Sequence, residues 1–111
     1  MRPALGQIWV VELDPVSANE QAGRRPCVVV SGAGYNGLPI RHAFVSPLTS
    51  RDRGLPHHVP VGAQSGLRLA SFAMPEYTRA VSTTRFGRQV GAVSPETLAS
   101  IRRWIQLFIE Y

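Results

Sequence analysis

Short runs of β-branched and aromatic residues, most of them closed by proline, glycine or aspartate, recur along most of this sequence and constrain its fold more than any other feature. Such runs are typical of strands, and turn residues at this spacing are typical of small all-β barrels and sandwiches. The predicted strands cover residues 7–13, 26–31, 42–47, 57–61, 69–74 and 77–82. The sequence therefore predicts a mainly β fold built as a small barrel or sandwich.

A single helix is predicted at the C-terminal end of the chain. Ser94 is a favourable N-cap, and Pro95 suits the first helical position, so the helix starts there and is expected to run to about Ile109. Its apolar stripe recurs at helical spacing; it consists of Leu98, Ile101, Ile105 and Phe108. Further apolar residues lie beside this stripe, so we expect the helix to bury part of its surface by self-association.

The chain has 111 residues, which is enough for one hydrophobic core, and we predict a single domain over residues 1–111. No apolar stretch approaches the ~18 residues that cross a bilayer. The first residues lack the apolar segment of a secretory signal. We therefore expect a soluble, cytoplasmic protein that has no membrane partner.

One cysteine, Cys27, is present, which excludes an internal disulfide and any multi-cysteine metal site. It lies in an apolar run, so a buried small hydrophobe is a better interpretation than a nucleophile. No histidine, cysteine or carboxylate cluster has the spacing of metal ligands in the sequence. We therefore predict no metal and no cofactor.

The charge of the chain is positive and comes entirely from arginine. Twelve arginines stand against seven carboxylates, for a formal net charge of +5, and lysine is absent. The planar guanidinium matches phosphate geometry, so this composition suits a polyanionic partner. A GC-rich genome would produce the same bias, so composition favours a nucleic-acid substrate without establishing one.

An arginine and a hydroxyl residue are predicted at the ends of two neighbouring strands. Arg25 precedes Pro26, which biases its backbone to the extended region at the start of a strand. Thr49 and Ser50 follow the next strand. Singly, Arg25 is typical of a surface ion pair and a Thr-Ser pair is typical of a turn. Together they could hold one phosphate, which suggests phosphodiester chemistry on RNA.

Several segments of the chain resemble the MazF/PemK family of toxin endoribonucleases. The segments that carry this resemblance are Gly6-Gln7-Ile8-Trp9, Asp14-Pro15, residues 20–26, residues 28–31, Tyr35-Asn36, residues 47–50 and Gly66-Leu67. The resemblance implies an SH3-like small barrel of the CcdB/MazF type with a C-terminal helix. It also implies a homodimer, metal-independent cleavage of single-stranded RNA and neutralisation by a MazE-like antitoxin.

The resemblance also assigns site residues to positions in this sequence. The family's catalytic arginine corresponds to Arg25 and its catalytic threonine to Thr49, while Glu20 lies in the loop that the family folds over its active site. The residues that we predict to bind RNA are Gln21, Arg24, Ser50, Arg51, Arg53, Pro56, Tyr77 and Arg79. Tyr77 stands where many relatives have glutamine, so base stacking is expected there in place of amide hydrogen bonds.

The mechanism that we expect is attack of a ribose 2′-hydroxyl on the adjacent phosphate, which leaves a 2′,3′-cyclic phosphate and a 5′-hydroxyl. Arg25 would stabilise the charge that develops on the phosphate, and Thr49 would orient it. A guanidinium is a poor base at neutral pH, so Glu20 is the better candidate for the general base. His42, His57 and His58 are alternatives, although adjacent strand residues face opposite ways, so at most one of His57 and His58 would line the groove.

Two other functions remain open at the level of sequence. A CcdB-like toxin of the same fold poisons DNA gyrase through a C-terminal tryptophan-containing segment, and this chain has Trp104 near its end. A non-catalytic barrel could bind nucleic acid or an acidic peptide through arginines alone. The arginines that would suffice for such binding are Arg24, Arg51, Arg53 and Arg79.

Overall fold

Seven strands precede one long helix, and six of the strands correspond in order to the predicted runs. The computed structural model describes residues 2–13, 23–62 and 65–110 of the chain. The strands are β1 (Gln7–Leu13), β2 (Gly23–Val29), β3 (His42–Thr49), β4 (Val59–Val61), β5 (Ser71–Ala73), β6 (Arg79–Ser82) and β7 (Phe86–Ala92). The helices are the single turn α1 (Ala33–Asn36) and the C-terminal α2 (Pro95–Glu110).

The strands form one antiparallel sheet that curls into a half-barrel. Its order is β4-β5-β3-β2-β1-β7, and β6 pairs with a different part of β3 from the part that β5 pairs with. The prediction of a mainly β small-barrel fold with a C-terminal helix is therefore confirmed. Because β2 and β3 are central and adjacent, the start of β2 and the end of β3 lie side by side.

Alternating residues of the central strands supply two apolar cores, one on each face of the sheet. Trp9, Val11 and Leu13 of β1 pack into one core, whereas Ile8 packs into the other. Helix α2 covers the second core with Ile101, which is fully buried. Both faces of the sheet therefore contribute to an apolar core.

Helix α2 begins as predicted, because the Ser94 hydroxyl accepts a hydrogen bond from the Thr97 amide at 3.1 Å. The predicted apolar stripe needs one correction. Leu98 and Ile105 pack against the core, but Phe108 lies beyond the sheet and keeps 43% of its surface exposed. No helix among residues 2–13, 23–62 and 65–110 is long and apolar enough to span a membrane.

Several predicted strand boundaries were wrong. Strand β7 was not predicted, because Gly87 and Gly91 interrupt its apolar pattern. Residues 57 and 58 precede β4 in a turn, and Tyr77 belongs to the short 3-10 helix Pro75–Tyr77 that precedes β6. Proline supports that tight turn because its ring presets the backbone angle.

Cys27 is a buried core residue of β2, as the sequence predicts. Burial raises the pKa of its thiol to about 12, although the positive charges of Arg25 and Arg79 act in the opposite direction. The thiol therefore stays protonated at neutral pH and has no nucleophilic role.

Candidate active site

The register of β2 on β3 brings Arg25 and Thr49 together. Val28 pairs with Ser46 and Cys27 with Pro47, and extension of this antiparallel register by two residues puts Arg25 opposite Thr49. The Val30 amide donates to the Phe44 carbonyl at 2.9 Å, which marks a hydrogen-bonded pair. Hydrogen-bonded pairs recur every second residue, so the next two positions are Val28 with Ser46 and then Pro26 with Leu48.

Pro26 leaves one carbonyl of this ladder without a backbone donor, and Arg25 supplies a side-chain donor in its place. Proline has no amide hydrogen, so Pro26 cannot donate to the Leu48 carbonyl that faces it. Nη1 of Arg25 donates to that carbonyl instead, at 3.1 Å. A proline inside a central strand is therefore tolerated, because the neighbouring arginine provides the hydrogen bond that the carbonyl of the opposite strand needs. The same bond anchors the guanidinium beside Thr49.

Thr49 ends β3 with its side chain largely enclosed. Only 7% of the residue is exposed, and its hydroxyl oxygen accepts a hydrogen bond from the Arg51 amide at 3.2 Å. The hydroxyl hydrogen is not used in that bond, so it can be donated to an anionic oxygen. Arg25 and Thr49 thus offer two kinds of donor at adjacent strand ends.

Both residues line one open cavity of about 660 Å³. Five arginines lie around it, and the lining residues that the structure describes include no carboxylate and no histidine. These arginines are Arg24, Arg25, Arg51, Arg68 and Arg88. Apolar side chains complete the wall; they are Val10, Pro26, Leu48, Leu67, Leu69 and Val90. A cavity with this lining attracts an anion and gives bases apolar surface to contact.

The chain matches a known protein family over most of its length. Residues 4–109 match the family described as PemK-like, MazF-like toxin of type II toxin-antitoxin system. The chain belongs to this family. Endoribonuclease MazF9 of Mycobacterium tuberculosis is 33% identical over 111 aligned positions, which cover 95% of this chain and 94% of the relative. Endoribonuclease toxin MazF of Escherichia coli is 34% identical over 109 positions, with 96% and 94% coverage.

Solved structures of MazF proteins share the fold. MazF from Deinococcus radiodurans superposes with a TM-score of 0.87 at 27% identity, and the match covers 100% of this chain and 99% of that one. A MazE–MazF structure from the same organism gives a TM-score of 0.82 at 25% identity, covering 99% and 98%. The family resemblance and the fold that it implies are therefore both confirmed.

The predicted RNA-binding residues of this MazF-like chain divide into three groups. Arg24, Ser50 and Arg51 line the cavity with Arg25 and Thr49. The cavity lining does not include the other four described candidates, which are Arg53, Pro56, Tyr77 and Arg79. Gln21, the eighth candidate, lies outside the described residues, as does Glu20, which was predicted to be catalytic. Arg24 also forms an exposed ion pair with Glu12 at 3.5 Å, a contact of small energetic value.

Two arginines of the MazF-like cavity were missed by the sequence analysis. Arg88 projects from β7, the strand that was not predicted, and Arg68 follows Gly66-Leu67. The position of Arg68 next to a segment that carries the family resemblance was a usable signal. No such sequence signal marked Arg88, because β7 reaches the cavity through its pairing with β1.

None of the three histidines lines the cavity; His57 and His58 instead meet Glu76 elsewhere on the molecule. The expectation that these adjacent histidines face opposite ways was wrong, because they lie in a turn and not in a strand. Burial alone would raise the pKa of the Glu76 carboxyl. Hydrogen bonds from His58 and from its own backbone amide, with the charges of both histidines, nevertheless hold the pKa below its usual 4.5.

Proposed function

We propose that this protein is the toxin of a type II toxin-antitoxin pair and acts as a sequence-selective, metal-independent endoribonuclease on single-stranded RNA, chiefly mRNA. The observation that supports this most directly is the placement of Arg25, anchored on the Leu48 carbonyl, beside Thr49 in a cavity surrounded by arginines. A phosphodiester needs such donors because negative charge grows on its non-bridging oxygens during cleavage. Relatives at 33% and 34% identity are endoribonucleases.

In the proposed reaction the ribose 2′-oxygen attacks the adjacent phosphorus and the bond from phosphorus to the 5′-oxygen breaks. The products are a 2′,3′-cyclic phosphate and a 5′-hydroxyl, so DNA is not cleaved. Arg25 binds the non-bridging oxygens, and its bond to Leu48 O keeps one edge of the guanidinium in place. Thr49 donates its hydroxyl to the same phosphate.

The 2′-hydroxyl must lose its proton to a base. The described lining of the cavity offers no carboxylate or imidazole for this step. We therefore keep Glu20, in the segment between β1 and β2, as the proposed base. The leaving 5′-oxygen takes up a proton from Arg25 or from water that Arg25 orders.

RNA on either side of the cleaved bond would follow the remaining arginines. Arg68 and Arg88 extend the set of phosphate donors beyond the residues that the sequence predicted, and Leu67 and Leu69 offer apolar surface for a base. Gln21, Ser50, Arg53, Pro56, Tyr77 and Arg79 remain proposed contacts to RNA.

The proposed partners follow from the relatives and from charge. A Deinococcus radiodurans relative has been solved as MazE–MazF, and a chain of net charge +5 suits an antitoxin with an acidic segment that folds on binding. We propose that the protein forms a homodimer and acts in the cytoplasm, where mRNA is available.

The proposed chemistry is tested with the purified protein and a long RNA alone, without gyrase or added metal. Arg25→Ala and Thr49→Ala should each lower the cleavage rate about 100-fold or more, by loss of transition-state donors. Arg2→Ala and Thr84→Ala, which remove the same groups from outside the cavity, should cleave at the wild-type rate. Primer extension locates the cuts, and end-labelling identifies the 5′-hydroxyl.

Wild-type rates in the Arg25 and Thr49 variants would refute the assignment. RNA that stays intact while gyrase is inhibited would instead establish the CcdB-like function. Trp104 gives that alternative little support, because it packs against the second core within α2. Retained RNA binding with no cleavage would establish a non-catalytic barrel.

A further inference from the structure

Two imidazoles and one carboxylate converge at a point that the cleavage site does not use. Nε2 of His58 lies 2.7 Å from Oε2 of Glu76, and Nε2 of His57 lies 3.3 Å from the same oxygen. The potential ligand atoms of the three residues all lie within 4.8 Å of one another. Ligands that share a tetrahedral ion at ~2.0–2.2 Å lie about 3.3–3.6 Å apart. The separation between His57 and Glu76 already fits this range, whereas the hydrogen-bonded His58–Glu76 pair would have to open by less than about 1 Å to admit an ion.

The sequence showed no cluster with the spacing of metal ligands, and this one forms only in the folded chain. Glu76 is eighteen positions from His58, so linear spacing could not reveal it. The turn at residues 56–58 aims both rings the same way, and the 3-10 helix Pro75–Tyr77 presents Glu76 to them.

The cluster is largely buried, and one side of it is partly exposed. The His58 side chain is 3% exposed, whereas His57 and Glu76 keep 23% and 28% of their side chains exposed. Rings from α2 flank His57, with Trp104 at 6.1 Å and Phe108 at 5.5 Å between centroids. An ion could enter from the exposed side and keep a water ligand there.

The ring nitrogens of His58 are also placed compatibly with coordination. Its Nδ1 atom is buried and has no hydrogen-bond partner among the described residues. Coordination through Nε2 requires the tautomer that carries the ring hydrogen on Nδ1, and no described group contacts Nδ1 in a way that opposes it. An ion bound there would replace the hydrogen bond that Nε2 of His58 now makes with Glu76.

We propose that His57, His58 and Glu76 form a binding site for a divalent transition ion, best suited to Zn²⁺. Two imidazole nitrogens, one carboxylate oxygen and a water complete a tetrahedral shell, which Zn²⁺ accepts and which Mg²⁺ does not favour. The ion would join the turn before β4 to the segment before β6, under the aromatic residues of α2. Its role is structural and is separate from the arginine-lined cavity.

The proposal is tested by calorimetry on tag-free protein that has been treated with a chelator and dialysed at pH 7.5. Wild type should bind one Zn²⁺ per chain, show no heat with Mg²⁺, and unfold at a higher temperature when Zn²⁺ is present. His57→Ala and Glu76→Gln should each weaken Zn²⁺ binding more than about 100-fold, because each removes a direct ligand. His42→Ala, which removes the histidine outside the cluster, should bind as wild type does.

Failure of wild type to bind Zn²⁺ would overturn the proposal. So would binding that survives in both His57→Ala and Glu76→Gln, or that is lost equally in His42→Ala. Circular dichroism of each metal-free variant shows whether it is folded. His57 is partly exposed, so His57→Ala is the ligand variant that should disturb folding least. RNA cleavage by the metal-free protein should be unaffected, which separates this site from the proposed nuclease function.

Discussion

At the scale of single residues, the order Arg25-Pro26 has a physical reason beyond the placement of a charge. Proline removes one cross-strand donor from a central strand, and the guanidinium of the preceding residue replaces it at the Leu48 carbonyl. That bond restricts a long side chain that would otherwise sample many rotamers, so the entropy cost of positioning it is met during folding and not during catalysis.

Pro26→Ala tests this relation between the two residues. Alanine supplies an amide hydrogen that can donate to Leu48 O, which competes with Nη1 of Arg25 and releases the guanidinium. We expect folding stability to be retained while the rate of RNA cleavage falls about 10-fold, since a small displacement of a catalytic group is costly. Single-turnover cleavage and urea unfolding measure the two effects.

Pro60→Ala is a matched control, because it removes a proline from the exposed centre of β4, away from the cavity. Equal loss of activity in both variants, or no loss in Pro26→Ala, would contradict the proposed role of proline.

At the scale of elements, the segment at residues 65–69 is held against β7 by two glycines. A Cβ atom on Gly91 would lie 1.6 Å from the Ser65 carbonyl oxygen, and one on Gly66 would lie 2.1 Å from the Val90 carbonyl oxygen. Gly66 also has a φ of +86°, which L side chains rarely adopt. This close backbone approach brings Leu67, Arg68 and Leu69 to the cavity.

Gly91→Ala should therefore push the segment away from β7. We expect a loss of about 1–3 kcal/mol in the free energy of unfolding, as for other overpacked sites. RNA affinity should fall as well, because Arg68 and the adjacent leucines would move from the cavity. Urea unfolding and filter binding check these outcomes.

Gly34→Ala provides the control for this substitution. Its added Cβ meets nothing within 4 Å and its φ is not positive, so stability and RNA binding should be unchanged or slightly improved. Wild-type stability in Gly91→Ala would show that the segment is not held in this way.

Sequence patterns were sufficient where the structure is local and insufficient where distant segments meet. The helix start at Ser94-Pro95 depends on neighbours in the chain and was predicted. The meeting of Arg25 and Thr49 joins two strands, and the sequence suggested it through the order of the strand ends and the family resemblance, not through local pattern alone. Arg88 and Glu76 acquire their places through pairing and packing across the fold, which periodicity does not encode. Strand β7 was missed because its glycines serve close packing in place of an apolar face.

At the scale of the whole molecule, the described surface has a second cavity of about 1000 Å³ with a different character from the first. Its lining includes the partly exposed rings of Phe44 and Phe108 and the 79% exposed side chain of Ile109. Arg102 and Arg103 lie beside them on α2. Apolar groups that cluster on a surface with polar neighbours are typical of a protein interface.

We expect this face to form the homodimer, since burial of the three apolar side chains would offset the cost of association. Light scattering after gel filtration should give twice the 12.2 kDa mass of one chain.

Ile109→Asp places a charge at the most exposed apolar position and should raise the dimer dissociation constant about 30-fold, near 2 kcal/mol. Leu38→Asp, at an exposed leucine that lines neither cavity, should leave the dimer intact. A dimer that tolerates Ile109→Asp, or that dissociates equally with Leu38→Asp, would mean that the chains associate through another face.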